Sequence, residues 1–216
     1  MRLVTRFEFA VISHYKKESA ATAVRLLRNI WKEEAGMLLF SPHELFMVYS
    51  IARCQRDHGG AFVEVGVFRG ASLMAIAAAK RPETRLFGFD TFEGLPGVAK
   101  EEGRFAQGMF RADEQSTLER VSGNENVTVV KGVFPDTAAV LNGEQLSFVH
   151  LDVDTYESTL ASLNTVYPIL LPGGIILSHD YSQAAGVHRA VDDFAEEHKE
   201  DRLLELSVSQ VMIIKT

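Results

Sequence analysis

Two aspartates end apolar stretches of the chain that have the character of buried strands. Asp90 closes Leu86-Phe-Gly-Phe-Asp90, and Asp152 follows Leu146-Ser-Phe-Val-His-Leu151. Ligands of open α/β sheets collect at the carboxyl ends of strands. Asp90 therefore suits hydrogen bonding to a pair of ribose hydroxyls, although such a residue can also cap the next turn. A partly buried carboxylate at Asp152 needs a partner, and a metal ion or a substrate could be that partner.

A glycine-rich turn precedes Asp90 by about two dozen residues, a spacing typical of nucleotide-binding folds. It lies in Phe62-Val-Glu-Val-Gly-Val-Phe-Arg-Gly-Ala-Ser-Leu73. Val63 and Val65 fit a strand covered on both faces. Gly66 and Gly70 let the backbone approach a ligand closely, and the amides of the following helix point back at it. The turn and Asp90 together predict a site for a nucleotide-like ligand.

Strand-like and helix-like segments alternate from residue 62 onward. The pattern predicts strands at 62–66, 85–90, 127–131, 146–152 and 174–179, and helices at 70–80, 113–122, 136–142, 155–167 and 184–199. Two further strand-like runs, 202–206 and 210–215, lie too close for a helical crossover and must pair as an antiparallel hairpin. The expected fold is α/β: a Rossmann-like, doubly wound, seven-stranded sheet, mostly parallel with an antiparallel C-terminal strand.

Residues 1–60 are predicted to form a helical extension before a domain at 61–216. The clearest helix start is Ser41-Pro-His-Glu44, which combines an N-cap serine, a proline at the first position and a glutamate at the third. Upstream, Leu26, Leu27, Ile30 and Trp31 supply apolar surface. This surface either covers the sheet or forms the interface of a homodimer.

Composition excludes several classes of partner. The net charge of −7 and the pI of about 5.5 argue against a nucleic-acid partner. No apolar run approaches membrane-spanning length, so no membrane partner is expected. Cys54 is the only cysteine, which leaves no disulfide framework and favours a reducing, cytoplasmic setting. The segment 93–113 carries Phe105, Met109 and Phe110 in a polar loop, and it is either a lid over the site or a disordered connection.

The second half of the chain carries more specific motifs: Lys131-Gly-Val-Phe-Pro-Asp-Thr137, His150-Leu-Asp-Val-Asp-Thr-Tyr-Glu-Ser-Thr159, Tyr167-Pro-Ile-Leu-Leu-Pro-Gly-Gly174 and His179-Asp-Tyr181. Together with 62–73 and Phe89-Asp-Thr-Phe-Glu-Gly-Leu-Pro96, they resemble the macrocin O-methyltransferase (TylF-like) family of class I S-adenosylmethionine-dependent methyltransferases. The resemblance covers nearly all of 62–194.

The resemblance implies a role for each of a set of residues. Those implied in binding S-adenosylmethionine are Glu64, Gly66, Gly70, Ser72, Asp90, Thr91, Gly132, Phe134 and Asp152. The first three would shape the pocket for the amino-acid end of the cofactor, whereas Ser72 either meets its carboxylate or is an ordinary first-turn residue. Asp90 and Thr91 would serve the ribose. Gly132 and Phe134 would lie against the adenine, although Phe134 could equally be core.

A divalent cation, magnesium or manganese, is implied at Asp152 and Asp180. The chain departs from the family at His179, where aspartate is commoner. His179 could bind a softer metal with both aspartates, act as the general base, mark a site that has lost activity, or merely hydrogen-bond a neighbouring loop. Asp154 is expected to cap the helix after the fourth strand, and His150 to lie in the core.

The expected function is O-methylation of a small hydroxylated substrate, a sugar or a glycosylated natural product, with Asp152 and His179 as catalytic residues. The alternative is a catalytically silent module that binds S-adenosylmethionine or forms oligomers. A nicotinamide oxidoreductase is a third hypothesis, and it would require a sheet that is parallel to its end.

Overall fold

The computed structural model describes residues 18–33, 40–99, 103, 105–206 and 209–216. The helices predicted within residues 1–17 lie outside this range. The α-helices are α1 (Glu18–Glu33), α2 (Pro42–Gln55), α3 (Ala71–Ala79), α4 (Glu114–Val121), α5 (Tyr156–Val166) and α6 (Ala185–Glu197). The strands are β1 (Ala61–Val65), β2 (Leu86–Asp90), β3 (Val127–Lys131), β4 (Leu146–Leu151), β5 (Leu170–Ser178), β6 (Arg202–Glu205) and β7 (Val211–Ile214).

The seven strands form one sheet in the order β3-β2-β1-β4-β5-β7-β6. The pairs from β3 to β5 are parallel, and β7 is antiparallel to both β5 and β6. The predicted hairpin and the antiparallel C-terminal strand are therefore confirmed. Every residue of β1 and β4 is buried, as expected for central strands of a sheet with both faces covered.

Two predicted elements differ in the structure. The helix predicted at 136–142 is only a 3₁₀ turn at Ala138–Leu141, because Pro135 and Gly143 confine it to a segment too short for an α-helix. The strand predicted at 174–179 begins earlier, at Leu170. Its first half is held by the C-terminal segment, because Gly173 N–H donates to the Lys215 carbonyl at 2.7 Å.

The N-terminal helices are packed into the main core. Leu27 and Ile30 from α1 join Leu45 and Val48 from α2 in one buried cluster that includes Phe62 of β1. Leu26 and Trp31 pack against the same cluster. The apolar surface of α1 is thus used within the chain, so it lends no support to a homodimer. In the described part of the chain, no helix combines the length and the apolar character needed to cross a bilayer.

The start of α2 confirms the predicted capping box. Glu44 N–H donates to Ser41 Oγ at 3.2 Å, and the Ser41 N–H donates to Glu44 Oε2 at 2.7 Å. Pro42 occupies the first helical position. This local geometry fixes where the Glu44 side chain leaves the helix.

We expect Leu27→Ala to lower the free energy of unfolding by about 2–5 kcal/mol, because Leu27 is fully buried and its loss leaves a cavity. The matched control is Asn29→Ala on the exposed face of the same helix, with an expected change within about 0.5 kcal/mol. Urea unfolding followed by circular dichroism measures both. Equal stability of the two variants would show that α1 is not part of the core.

Candidate functional site

The ends of adjacent strands are joined by backbone hydrogen bonds that place the predicted site residues side by side. Gly66 N–H donates to the Phe89 carbonyl, Asp152 N–H to Val65, and Gly132 N–H to Asp90, each at 2.9 Å. On the other side of β4, His179 N–H donates to the Leu151 carbonyl at 2.8 Å. The residue that follows each of these strands is therefore held beside the last or next-to-last residue of its neighbour, and all lie along one edge of the sheet.

A cavity of about 350 Å³ opens at this edge. Eight of the predicted site residues line it: Gly66, Asp90, Thr91, Gly132, Phe134, Asp152, His179 and Asp180. Phe105, Met109 and Phe110 from the segment 93–113 line it as well. Within that segment, Leu95 N–H donates to the Met109 carbonyl at 2.9 Å and Gly108 N–H donates back to Leu95 at 3.0 Å. The described part of the loop therefore folds over the cavity.

Three predicted cofactor residues, Glu64, Gly70 and Ser72, lie outside the cavity lining. Glu64 is fully buried, and its Oε1 is 2.8 Å from Nδ1 of His150. Burial raises the pKa of Glu64 well above its ordinary value and lowers the pKa of His150 to about 4. Both shifts favour the neutral forms, so the contact is a buried hydrogen bond between uncharged groups. His150 is in the core, as the sequence predicted.

The chain geometry itself requires glycine at both positions of the turn, apart from any contact with a ligand. Gly66 has a φ of 90°, and a Cβ there would collide with the backbone carbonyl of Asp152. Gly70 is the N-cap of α3 with a φ of 84° and caps it without a side chain. Ser72 is buried in the first turn of that helix, next to Glu64. The turn thus allows the ends of β1 and β4 to lie in close contact, where Gly66 and Asp152 line the cavity.

Asp90 is held by two backbone donors. Its Oδ2 accepts from Phe68 N–H at 2.7 Å, and its Oδ1 accepts from Phe92 N–H at 2.6 Å. Burial is the largest influence on this carboxyl and raises its pKa. Each carboxylate oxygen has a further lone pair, so both can still accept a hydrogen bond from a ligand in the cavity. Next to it, Thr91 Oγ1 donates to the Gly94 carbonyl at 2.7 Å and shapes the start of the loop.

An aromatic wall faces this carboxylate. Phe134 is 8% exposed and packs against Phe89, with ring centroids 4.8 Å apart. Gly132 has a φ of 138°, and a Cβ at this position would contact the side chain of Thr137. Phe134 therefore belongs to the core and to the cavity wall at once, which combines the two roles that the sequence left open.

Four carboxylates surround the imidazole of His179, which is 4% exposed. Its Nδ1 lies 3.3 Å from Asp152 Oδ1 and 3.5 Å from Asp180 Oδ1, and its Nε2 lies 3.3 Å from Glu44 Oε1. The fourth is Asp154, whose pKa is affected by Asp152, Asp180 and His179. Burial disfavours the charged ring, but Asp152, Asp180 and Glu44 outweigh it and raise the pKa of His179 well above its ordinary value.

Asp152, His179 and Asp180 fit the ligand set of a divalent cation. One ligand atom from each lies within 4.8 Å of the other two. Adjacent ligands of an octahedral ion are about 3 Å apart at metal-ligand distances near 2.1 Å, close to the separations from His179 Nδ1. This Nδ1 is buried and has no hydrogen-bond partner among the described residues. The geometry and the donor atoms are therefore compatible with an ion shared by the three side chains.

The expected role of Asp154 as a helix cap is wrong. Thr155 is the N-cap of α5, and its Oγ1 accepts from Ser158 N–H. Asp154 instead has a left-handed backbone with a φ of 64°, which turns its side chain toward the cavity. Burial and the charges of Asp152 and Asp180 raise the pKa of Asp154 well above its ordinary value.

Glu44 is the member of the cluster that sequence reasoning missed. Its pattern, Ser41-Pro-His-Glu44, was fully explained by helix capping. Burial alone would raise its pKa, but hydrogen bonds and charge from His179, with help from Ser209 and Ser41, hold that pKa at about 2. A carboxylate in a capping box normally faces solvent, so no sequence signal shows that this one also reaches a histidine in the site.

A family model described as macrocin-O-methyltransferase (TylF) matches residues 50–211 of the chain. The 8-demethyl-8-(2,3-dimethoxy-alpha-L-rhamnosyl)-tetracenomycin-C 4'-O-methyltransferase of Streptomyces olivaceus is 31% identical over 139 residues, which are 57% of this chain and 53% of that protein. Demethyldecarbamoylnovobiocin O-methyltransferase of Streptomyces niveus is 28% identical over 151 residues, or 62% and 58%. The chain thus spans little more than half the length of these relatives.

A solved structure shares the fold. The O-methyltransferase NovP superimposes with a TM-score of 0.68 at 24% identity, over 80% of this chain and 79% of that one.

We expect Asp154→Asn to leave the free energy of unfolding unchanged or to raise it, because it removes one of several crowded carboxylates and asparagine tolerates the left-handed backbone. Thr155→Ala, which removes the helix cap, should lower it by about 1 kcal/mol. Urea unfolding in the presence of a chelator compares the two. The assignment of the cap is contradicted if Asp154→Asn is the more destabilising change.

Proposed function

The chain belongs to the macrocin O-methyltransferase (TylF) family, and on that premise we propose that it transfers a methyl group from S-adenosylmethionine to a hydroxyl of a small molecule. The observation that carries the proposal is the convergence of Asp152, His179 and Asp180 in a cavity that Asp90 and Phe134 also line. A cofactor site and an acid-base site thus adjoin in one space.

The cofactor half of the cavity suits a nucleoside. Asp90 would accept hydrogen bonds from the two ribose hydroxyls, and Phe134 offers an aromatic face and edge to the base. Gly66 and Gly132 line the same cavity with backbone alone. Asp90 and Asp152 make this cavity electronegative, which favours a positively charged sulfonium over a phosphate-bearing nicotinamide dinucleotide.

Methyl transfer requires that the acceptor oxygen approach the methyl carbon opposite the sulfur and lose its proton. Asp152 is the better placed base, since its side chain is 19% exposed at the cavity whereas that of His179 is 4% exposed. Without a bound ion, His179 lies behind Asp152 and Asp180 and balances their charge. A divalent cation bound by these three residues would orient the acceptor oxygens and lower the pKa of the hydroxyl.

We further propose a sugar hydroxyl as the acceptor. The name of the Streptomyces olivaceus relative specifies 4'-O-methylation of a rhamnosyl-bearing compound. In this chain Phe105, Met109 and Phe110 give the cavity an apolar wall, suited to stack on a sugar ring or on an attached aglycone. The test is methyl transfer from labelled S-adenosylmethionine to L-rhamnose and to rhamnosylated aromatic compounds.

A catalytically silent module that binds S-adenosylmethionine is the competing function. Calorimetry would detect cofactor binding in both cases, but only an enzyme transfers the methyl group. Turnover with any member of the rhamnoside panel, with Mg²⁺ or Mn²⁺ present, excludes the silent module. Binding of NAD without binding of S-adenosylmethionine would overturn the proposed activity as a whole.

Asp90→Asn should weaken S-adenosylmethionine binding by about 10-fold or more, because an ionised acceptor forms stronger hydrogen bonds to hydroxyls than an amide does. Asp57→Asn is the matched control, since Asp57 is exposed and precedes β1 at the opposite edge of the sheet. Calorimetry measures the affinities, and thermal unfolding of the unliganded proteins reports any loss of structure. An Asp90→Asn affinity within twofold of the control would refute the ribose role.

Asp152→Asn should lower kcat by about 100-fold or more while the affinity for S-adenosylmethionine changes less than about threefold, because proton removal is lost and the shape of the side chain is kept. Single-turnover methyl transfer and calorimetry separate the two quantities, with Asp57→Asn again as the control. Parallel loss of binding and turnover would mean that Asp152 serves the cofactor and not the acceptor.

A further inference from the structure

Glu44 contacts the ring of His179 from the side opposite the cavity. Its Oε1 lies 3.3 Å from Nε2 of His179 and also accepts a hydrogen bond from the hydroxyl of Ser209. Its Oε2 accepts from the Ser41 amide at 2.7 Å. Glu44 is 3% exposed, so a carboxylate from the N-terminal helix α2 is fixed in the core directly behind the site.

These contacts determine where the imidazole carries its hydrogen. Glu44 is an acceptor, and the Ser209 hydroxyl already donates to Glu44, so Nε2 of His179 must be the donor. An ion that binds here displaces the hydrogen on Nδ1, and the hydrogen that Glu44 retains on Nε2 leaves a lone pair at Nδ1. That atom is buried and lacks a hydrogen-bond partner in the described part of the chain, and its nearest carboxylate oxygens belong to Asp152 and Asp180.

The ring is held in this orientation by a third contact. Phe40 packs on it with centroids 4.5 Å apart, and the Phe40 carbonyl accepts a hydrogen bond from the Trp31 indole at 3.0 Å. Both residues precede α2. Rotation of the imidazole would break its packing on Phe40 and remove the contact between Nε2 and Glu44.

We propose that Glu44 is a positioning residue for a divalent cation: through Nε2 it fixes the tautomer of His179 that presents Nδ1 to an ion shared with Asp152 and Asp180. The inference rests on the proposed function, because the ion would act on the acceptor of that reaction. Histidines that ligate metals commonly donate their second N–H to a carboxylate, which fixes the tautomer and raises the basicity of the ligand atom.

The same arrangement has a consequence for the identity of the ion. An imidazole nitrogen beside two carboxylates favours a transition-metal ion over Mg²⁺, which prefers oxygen ligands throughout. The structure thus assigns to His179 and Glu44 together a selectivity that three carboxylates would not provide. The ratio of Co²⁺ to Mg²⁺ affinity measures it.

The experiment titrates chelator-treated protein with Co²⁺ and with Mg²⁺ by calorimetry, and follows the visible spectrum of bound Co²⁺. Glu44→Ala should weaken Co²⁺ binding by about 10- to 100-fold and alter the spectrum. Glu44→Gln keeps the volume and an acceptor oxygen, so its loss should be smaller, roughly three- to tenfold. The double variant His179→Asp with Glu44→Gln should lower the Co²⁺ to Mg²⁺ affinity ratio by about 10-fold or more.

The matched control is Gln55→Ala, which removes a buried polar side chain from the other end of α2 that donates to the Gly173 carbonyl at 3.1 Å. It should loosen the helix and leave the Co²⁺ affinity and spectrum unchanged. Wild-type metal affinity in both Glu44 variants would overturn the inference, as would equal losses in Gln55→Ala. If Glu44→Ala does not fold, the test relies on Glu44→Gln alone. An unchanged Co²⁺ affinity in that variant overturns the inference.

Cofactor binding separates this inference from the proposed function. S-adenosylmethionine affinity should be the same in wild type, Glu44→Gln and Gln55→Ala. If the wild-type protein binds neither Co²⁺ nor Mg²⁺, the inference about Glu44 is overturned. Methyl transfer in the presence of chelator would in that case still support the proposed methyltransferase function. A wild-type protein that does not bind S-adenosylmethionine contradicts the proposed function instead.

Discussion

The burial of several carboxylates around one imidazole is the interaction on which the rest of the site depends. Asp152, Asp154 and Asp180 face His179 from the cavity side, and Glu44 faces it from the core. Removing charges from water costs several kcal/mol per ion, and one imidazolium cannot balance all of these groups. The arrangement therefore favours an additional positive charge in the cavity. A sulfonium and a divalent cation both supply one, which is why the proposed cofactor and the proposed ion suit the same space.

The fold holds this unfavourable arrangement in place with backbone contacts. The hydrogen bonds that join Asp152 to β1 and His179 to β4 are independent of side-chain charge. Gly66 permits the close approach of β1 and β4 that those bonds require. On the other side, packing of α1 and α2 into the core delivers Glu44 to His179. The N-terminal helices thus contribute to the site as well as to stability.

The sequence predicted the parts of the site that lie at strand ends. Asp90 and Asp152 follow apolar runs, and parallel strands bring their carboxyl ends to one edge, so their proximity follows from topology alone. Glu44 could not be found in this way, because its contact with His179 depends on how α2 packs over the sheet and its sequence pattern already had a local explanation. Asp154 was missed for a related reason: the cap was assigned one residue too early, and only the left-handed backbone turns this carboxylate into the cavity. Capping patterns locate a helix start, but they do not decide which neighbouring carboxylate serves the helix and which serves the site.

The most direct test of this account is a crystal structure of the protein with S-adenosylhomocysteine and Mn²⁺, with data collected for the anomalous signal of manganese. The account predicts a nucleoside with its ribose at Asp90, and an anomalous peak within bonding distance of His179 Nδ1 and of one oxygen each from Asp152 and Asp180. A cavity filled by the chain's own side chains, or a nucleoside bound elsewhere, would contradict it.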